Sequence, residues 1–356
     1  MKKNILISTG GSGGHVVPAT IICDHLKDKF NIFMTSDNRG IQFLDRDKYN
    51  IEIINVPKIS KNILILPFQF FSLLFLIFKS YLFLRKKNIE ILISTGGYMS
   101  LPLCIASRIL KVKLFLFEPN MVLGRSNKLF LGFCTKIFCY SKDIKNLPNK
   151  FKSKISLIPA ILRKEFYNFK TNENTDKKIN LLIIGGSQGA KLFDTLIKDT
   201  IVELAKKYEL NIFHQTSKDN YNDLKFFYLK NKIKNELFSF NQDIIAFMKK
   251  TNICITRAGA STLAELNFLN ISHIAIPLPT AKDNHQFENA LFYNQLGCNW
   301  ILNENETNTA SLMNKLVNII EDREEYLEKK KNMKNFNYQN TWNNINQKII
   351  TTINEN

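Results

Sequence analysis

No two cysteines of this chain stand at the C-x-x-C spacing of a thiolate metal site or a redox pair; Cys23, Cys104, Cys134, Cys139, Cys254 and Cys298 are scattered. Reduced thiols are the expectation, without a disulfide framework and without a metal. The dinucleotide signature G-x-G-x-x-G is missing, since Gly11 and Gly13 are followed by Val16 where the third glycine belongs. No Walker lysine accompanies any glycine loop, so both NAD chemistry and P-loop ATP chemistry are disfavoured. Arginine is scarce, with 8 among 49 basic residues, and the 31 acidic residues leave a net charge of +18. Such an excess points to anionic partners. It is carried by lysine in a chain also rich in asparagine and isoleucine, a pattern of AT-rich coding that lowers its weight. No basic-aromatic motif accompanies it, so nucleic acid is not an expected partner. The apolar run NILI after Lys2 and Lys3 is too short for a signal peptide.

What is present fits a globular chain of two domains, with 356 residues and a hydrophobic fraction of 45%. Strand-like runs fall at 4–8, 31–35, 51–55, 89–94, 112–117 and 136–140, then at 179–184, 210–215, 252–256, 272–276 and 299–302, with helical stretches between them. Repeated β-α-β predicts parallel, doubly wound sheets. The halves share a layout. NILISTGGSGGH and INLLIIGGSQGA each read as strand, glycine loop, helix, and each half has a second glycine loop, STGGYMS or TRAGASTLAE. Two Rossmann-like domains are predicted, 1–160 and 161–338, with the polar segment KTNENTDKK as a loop at the entry to the second and a helical tail at 339–356.

Residues 63–78, ILILPFQFFSLLFLIF, hold no charge. A membrane span needs roughly 20 apolar residues, and a span here would put the flanking strands of one sheet on opposite sides of a membrane. The favoured reading is an interfacial helix offering Phe70, Phe71, Leu74 and Phe75 to a bilayer, with Lys79 and the basic run 85–87 near lipid phosphates. A buried core helix is the alternative.

A glycine loop at a strand's carboxyl end brings backbone N–H groups and a helix N-terminus to an anion. In TRAGASTLAE the small residues 258–261 let a ligand approach the backbone, and Ser261 and Thr262 can cap the following helix. Glu265, one turn in, suits a pair of vicinal ribose hydroxyls, or is a solvated first-turn carboxylate. Gln286 and Asn289 in KDNHQFENA share a helix face and carry amides suited to sugar hydroxyls, or are an ordinary polar helix start. The D-x-D of Asp45 and Asp47 reads as surface charge, and His25, His214 and His273 are assigned no chemistry.

GGSGGH, GGSQGA, TRAGASTLAE and HQFENA, in this order and spacing, resemble the MurG family of peptidoglycan N-acetylglucosaminyltransferases, as does FEPN followed by SNKLF. The resemblance implies an α/β GT-B fold of two facing Rossmann-like domains with the active site between them. It implies UDP-GlcNAc as donor and the undecaprenyl-linked lipid I as acceptor, at the cytoplasmic face of the bacterial inner membrane, where the protein is peripheral on an anionic surface. It carries donor contacts onto Ser12, Gly13, Gly14, Asn120, Arg163, Ser187, Gln286 and Asn289, and the uridine and ribose loop onto Ala260, Ser261, Thr262, Leu263, Ala264 and Glu265. Pro119 stands where the family has glutamine, and IPAILR replaces its G-N-P-x-R entry to the second domain. The implied reaction is a single inverting displacement, so it needs a base. His15 is the candidate, because histidine exchanges protons near neutrality; capping the helix or binding the acceptor diphosphate is the other role open to it. Helix N-termini, Ser187 and Arg163 are expected to stabilise the departing diphosphate without a cofactor, Mg²⁺ dependence being left open. The rival readings are a related transferase with another lipid acceptor, a sugar-nucleotide epimerase of the same fold, which would need no apolar membrane patch, and a non-catalytic sugar-nucleotide-binding membrane subunit.

Overall fold

The computed structural model describes residues 2–57, 66–168, 178–186, 191–239 and 244–356. The chain divides into two compact units, Met1–Ile161 with Trp342–Asn356, and Leu162–Thr341.

The first unit is built on strands β1 (Asn4–Ser8), β2 (Asn31–Ser36), β3 (Ile51–Ile53), β4 (Ile91–Ser94), β5 (Lys113–Glu118), β6 (Lys136–Cys139) and β7 (Ile155–Leu157). They lie in the order β3-β2-β1-β4-β5-β6-β7 and pair in parallel throughout. Helices α1 (Gly13–Leu26), α2 (Leu66–Lys86), α3 (Leu101–Ile109) and α4 (Arg125–Phe130) connect them.

The second unit begins with the short helix α5 (Lys164–Tyr167). Its strands β8 (Ile179–Ile184), β9 (Leu210–Gln215), β10 (Lys234–Phe238), β11 (Ile253–Thr256), β12 (Ser272–Ala275) and β13 (Trp300–Ile301) run parallel in the order β10-β9-β8-β11-β12-β13. Its further helices are α6 (Lys191–Lys207), α7 (Tyr221–Lys230), α8 (Ile244–Met248), α9 (Ala260–Phe268), α10 (His285–Gln295), α11 (Thr309–Glu321) and α12 (Arg323–Asn337). Helices cover both faces of such a sheet, so central strands read as unbroken apolar runs. Every residue of β8 is buried, and Leu181 and Ile183 pack with Phe193 and Ile197 of α6 and with Leu312 and Leu316 of α11. The α/β expectation of two parallel sheets is met.

Strand order reverses between β1 and β4 in one sheet, and between β8 and β11 in the other. At such a switch point the connections leave toward opposite faces and open a crevice at the strands' carboxyl ends. The segments following these four strands are the four glycine loops. The topology therefore brings them together in pairs, one pair in each unit.

Helix α2 is long and apolar enough to cross a membrane by length and composition, with 21 residues and a mean hydropathy of 1.6. The strands before and after it, β3 and β4, lie in one sheet, which a single crossing would part. Only Ser80 and Leu84 are buried, with Leu73, Leu76 and Ile77 half-buried along the same stripe. The opposite face exposes Phe68, Phe71, Leu74, Phe75, Phe78 and Leu82, so the buried-core alternative does not hold. Residues 63–65 of the apolar run lie outside the described residues.

Helix α13 (Trp342–Glu355) belongs to the first unit. Trp342 stacks on His25 of α1 at 3.7 Å, and Asn346 Nδ2 donates to the His25 carbonyl at 3.0 Å. Ile345, Ile349, Ile350 and Ile353 supply its buried face.

Candidate functional site

In the first unit, Ser12 is the extended N-cap of α1 without a side-chain cap bond, Gly13 and Gly14 open the helix, and His15 lies in its first turn. Gly11 has φ +83, a left-handed conformation that favours glycine. The loop is braced by a residue that belongs to none of the glycine motifs. Asp37 Oδ1 accepts the N–H groups of Gly11 at 2.7 Å and Gly40 at 2.8 Å. Its Oδ2 accepts Arg39 Nε at 2.9 Å. Burial opposes the charge of Asp37, but these bonds and the Arg39 guanidinium outweigh it and hold the carboxyl below its usual range. Arg39 in turn lies over the Tyr98 ring at 5.1 Å and donates to its hydroxyl.

His15 Nδ1 lies 2.8 Å from the carbonyl oxygen of Thr95. A carbonyl only accepts, so Nδ1 carries the proton of the neutral ring and Nε2 carries a lone pair. The second glycine loop closes over this ring. A Cβ on Gly96 would stand 3.3 Å from His15 Cε1, and one on Gly97 would stand 3.6 Å from Cδ2. Ser126 Oγ donates to the Gly97 carbonyl at 2.8 Å and ties α4 to that loop.

Glu118 organises the segment that follows β5. It is 2% exposed. Its carboxylate accepts from Asn120 N at 3.2 Å, Asn120 Nδ2 at 3.0 Å, Gly124 N at 2.7 Å and Asn127 Nδ2 at 3.0 Å. Asn120 of FEPN, Gly124 and Asn127 of SNKLF are thus donors round one buried carboxylate, that of Glu118. Asn120, a predicted donor contact, directs its Nδ2 to Glu118.

In the second unit, Gly259 is the N-cap of α9, which begins at Ala260. Ser261 and Thr262 therefore sit within the first turn, and the expectation that they cap the helix is corrected: the extended backbone of Gly259 (φ −68, ψ 135) starts the helix before them. Ala260, Ser261 and Thr262 are half-buried at the helix start, while Leu263 and Ala264 turn into the core and can offer a ligand only backbone. Arg257, just before the loop, donates Nη1 to the Ile276 carbonyl at 3.1 Å, pairs with Glu304, and lies over Phe193 at 4.9 Å.

Glu265 is 7% exposed, so it is not a solvated first-turn carboxylate. Burial pushes its carboxyl up to about 7, against the pull of Arg163, whose Nη2 lies 3.7 Å from Oε1. Gln286 opens α10 and accepts the Leu278 N–H on Oε1 at 3.0 Å. Asn289 is 1% exposed and donates Nδ2 to the Ala258 carbonyl at 3.1 Å. It braces the glycine loop from behind. The loop after β8 is described to Gly186, whose N–H donates to Gln215 Oε1 at 2.9 Å; Ser187 lies outside the described residues.

Asp45 and Asp47 are exposed, and Asp45 Oδ1 accepts the Asp47 N–H at 3.0 Å. Among the described residues no His, Cys, Asp and Glu cluster could hold a metal ion. His214 is buried between Tyr228 Oη at 2.8 Å and Asp194 Oδ1 at 3.3 Å. Asp37, Arg39, Tyr98, Thr95 and Arg257 escaped the sequence reading because each acts on a loop distant in sequence.

Residues 5–139 match the glycosyltransferase family 28 N-terminal domain, and residues 180–345 match the family 28 C-terminal domain. The chain is 64% identical, over all of both chains, to the UDP-N-acetylglucosamine–N-acetylmuramyl-(pentapeptide) pyrophosphoryl-undecaprenol N-acetylglucosamine transferase of Pelagibacter ubique. It is 34% identical to the transferase of the same name from Rickettsia canadensis, over 90% of this chain and 91% of that one. Among solved structures, MurG of Acinetobacter baumannii superposes with a TM-score of 0.75 at 22% identity, covering 94% of this chain and 95% of that one. The UDP-GlcNAc 2-epimerase of Neisseria meningitidis bound to UDP-GlcNAc gives 0.67 at 14%, covering 99% and 100%; both structures speak to the fold.

Proposed function

The chain belongs to glycosyltransferase family 28, and from that premise we propose that it is an N-acetylglucosaminyltransferase of peptidoglycan synthesis. It moves GlcNAc from UDP-GlcNAc to the MurNAc C4 hydroxyl of undecaprenyl-diphosphate-MurNAc-pentapeptide (lipid I) to give lipid II. The observation that carries this reading is the full-length likeness to the Pelagibacter transferase. The rival readings have no comparable support.

In this reading the α-linked donor gives a β-linked product by direct displacement. His15 is the base: with Nδ1 engaged by Thr95, Nε2 is the atom that takes the acceptor's C4 proton as the hydroxyl attacks the anomeric carbon. UDP leaves as the glycosidic bond forms. The second unit holds the donor, with the start of α9 at the uridine, Glu265 at the ribose diol and Gln286 and Asn289 on the sugar side. Ser187 and the helix N-termini of that unit receive the charge of the leaving diphosphate, and Ser12, Gly13, Gly14 and Asn120 are the first-unit residues that the family resemblance assigns to the donor. The first unit receives the acceptor. The exposed apolar face of α2, with Phe70, Phe71, Leu74 and Phe75, seats the enzyme on the cytoplasmic face of the inner membrane, where its acceptor's undecaprenyl chain is anchored. Lys79 and the basic end of α2 lie at the level of anionic headgroups.

Radiolabelled UDP-GlcNAc with a lipid I analogue tests this directly. The expected product is labelled lipid II. Transfer to a different lipid acceptor, with none to lipid I, would replace the acceptor assignment.

A further inference from the structure

Glu265 presents a buried carboxylate that is short of partners. Its side chain is 10% exposed, and among the described residues its polar neighbour is Arg163 at 3.7 Å, beyond hydrogen-bond length. Arg163 is itself unusual, because its Nε is buried with no hydrogen-bond partner among the described residues. The guanidinium is set by packing. It lies 5.2 Å over the Phe166 ring, and α5, which Arg163 introduces, is docked on α9 through an edge contact of Tyr167 with Phe268 at 5.0 Å. The two elements are thus pinned so that the cation faces the carboxylate.

The geometry points to Arg163 as a positioning residue that keeps Glu265 ionised for the donor's ribose diol, in place of a contact of its own with the diphosphate. This rests on reading the second unit as the donor-binding unit. An ionised carboxylate accepts one hydrogen bond on each oxygen, as two vicinal hydroxyls require, whereas the protonated acid turns one oxygen into a donor. Burial pushes Glu265 up to about 7, and Arg163 is the charge that limits the rise. Among the described residues, the nearby groups on the other elements packed on α9 have partners of their own. On β12, His273 is hydrogen-bonded to the Ile271 carbonyl; on α12, Lys329 pairs with Glu325; on α10, the facing Asn289 is neutral. Ribose binding is therefore present above the Glu265 midpoint and lost as pH falls through it.

The test is the pH dependence of uridine and UDP affinity in the full-length protein, by calorimetry or ligand-observed NMR. Uridine has no phosphate, so it isolates the ribose. For the wild type, uridine affinity should fall below neutrality by at most about tenfold per pH unit. Arg163→Met should move that midpoint upward and weaken uridine and UDP alike by roughly three- to tenfold at pH 7, with recovery at higher pH. Arg163→Lys, which keeps the charge, should restore the midpoint. Glu265→Gln should abolish the pH dependence, and this variant decides the matter if Arg163→Met does not fold. An Arg163→Met protein that loses UDP affinity but binds uridine with an unmoved midpoint overturns the inference and puts the guanidinium on the phosphates. A Glu265→Gln protein with the wild-type profile overturns it as well. If the folded wild type binds neither uridine nor UDP at any pH, the donor-binding reading fails and takes this inference with it.

Discussion

The bond from His15 Nδ1 to the Thr95 carbonyl leaves Nε2 as the basic atom of the ring, and Gly96 and Gly97 are the residues that let a second loop lie against it. Replacing His15 with alanine removes the lone pair and changes nothing in the second unit, where the nucleotide is proposed to bind. The expected outcome is a fall in transfer rate of about 10²- to 10⁴-fold, with UDP affinity by calorimetry close to the wild type. Unimpaired transfer would remove His15 from the chemistry. Glu118 makes a different kind of prediction. Glutamine at this position would turn an NH₂ group toward backbone and amide donors that now meet a carboxylate oxygen. Glu118→Gln should cost about 1–3 kcal/mol in denaturant unfolding, the penalty for buried groups left unpaired. It should also lower transfer, because the segment that carries Asn120 and leads into α4 with Ser126 loses its anchor.

Helix α2 carries an exposed apolar face and a buried one on a single element, so the proposed membrane contact and folding are tested separately. Phe70, Phe71, Leu74 and Phe75 are 59%, 68%, 45% and 66% exposed, so changing all four to serine removes little packing. The variant should keep its melting temperature and fail to sediment with anionic vesicles. If it sediments like the wild type, the helix is not the membrane contact. Leu84, on the same helix, is 1% exposed. Leu84→Ala should do the reverse, costing about 2–5 kcal/mol of stability through the cavity it leaves, without loosening vesicle binding of the folded fraction.

On the scale of the whole molecule, α13 makes the last residues of the chain part of the first unit, and it does so over a buried histidine. Neither ring nitrogen of His25 has a partner among the described residues. Burial lowers its pKa from 6.5 to about 4, with Asp24 opposing. The unfolded chain therefore binds a proton on His25 in a range where the folded chain does not. Stability is fully present above about pH 6.5 and falls as pH drops toward 4, by at most about 1.4 kcal/mol per pH unit. His273, lowered to about 4 chiefly by burial, contributes in the same window in the second unit. His25→Phe keeps a ring against Trp342 and should flatten the acid dependence of the first unit, read from Trp342 fluorescence in a Trp300→Phe background. An unchanged acid dependence would mean that His25 is not the titrating group.

The central strands, the glycine loops and the apolar run of α2 were legible in the chain because local composition causes them: a strand covered on both faces must be apolar throughout, and a loop with left-handed backbone needs glycine. The strands β7 and β10 were not, since each lies at a sheet edge, where ISL and KNELF are half in solvent and carry a weak apolar signal. Glu265 was ambiguous for the opposite reason. One turn into a helix, a glutamate reads as solvated, and only the packing of α10, α12 and α5 against α9 takes it out of water and sets Arg163 before it. Asp37 and Glu118 carry no motif of their own, because what they do depends on backbone N–H groups that the fold brings to them. The sequence by itself therefore determined which segments become strands, loops and helices, through local periodicity and backbone sterics. Tertiary structure alone decided which loops meet at each switch point and which charges lose their water. Adjacency of strands and burial of a side chain are properties of the packed chain, and no single segment contains them.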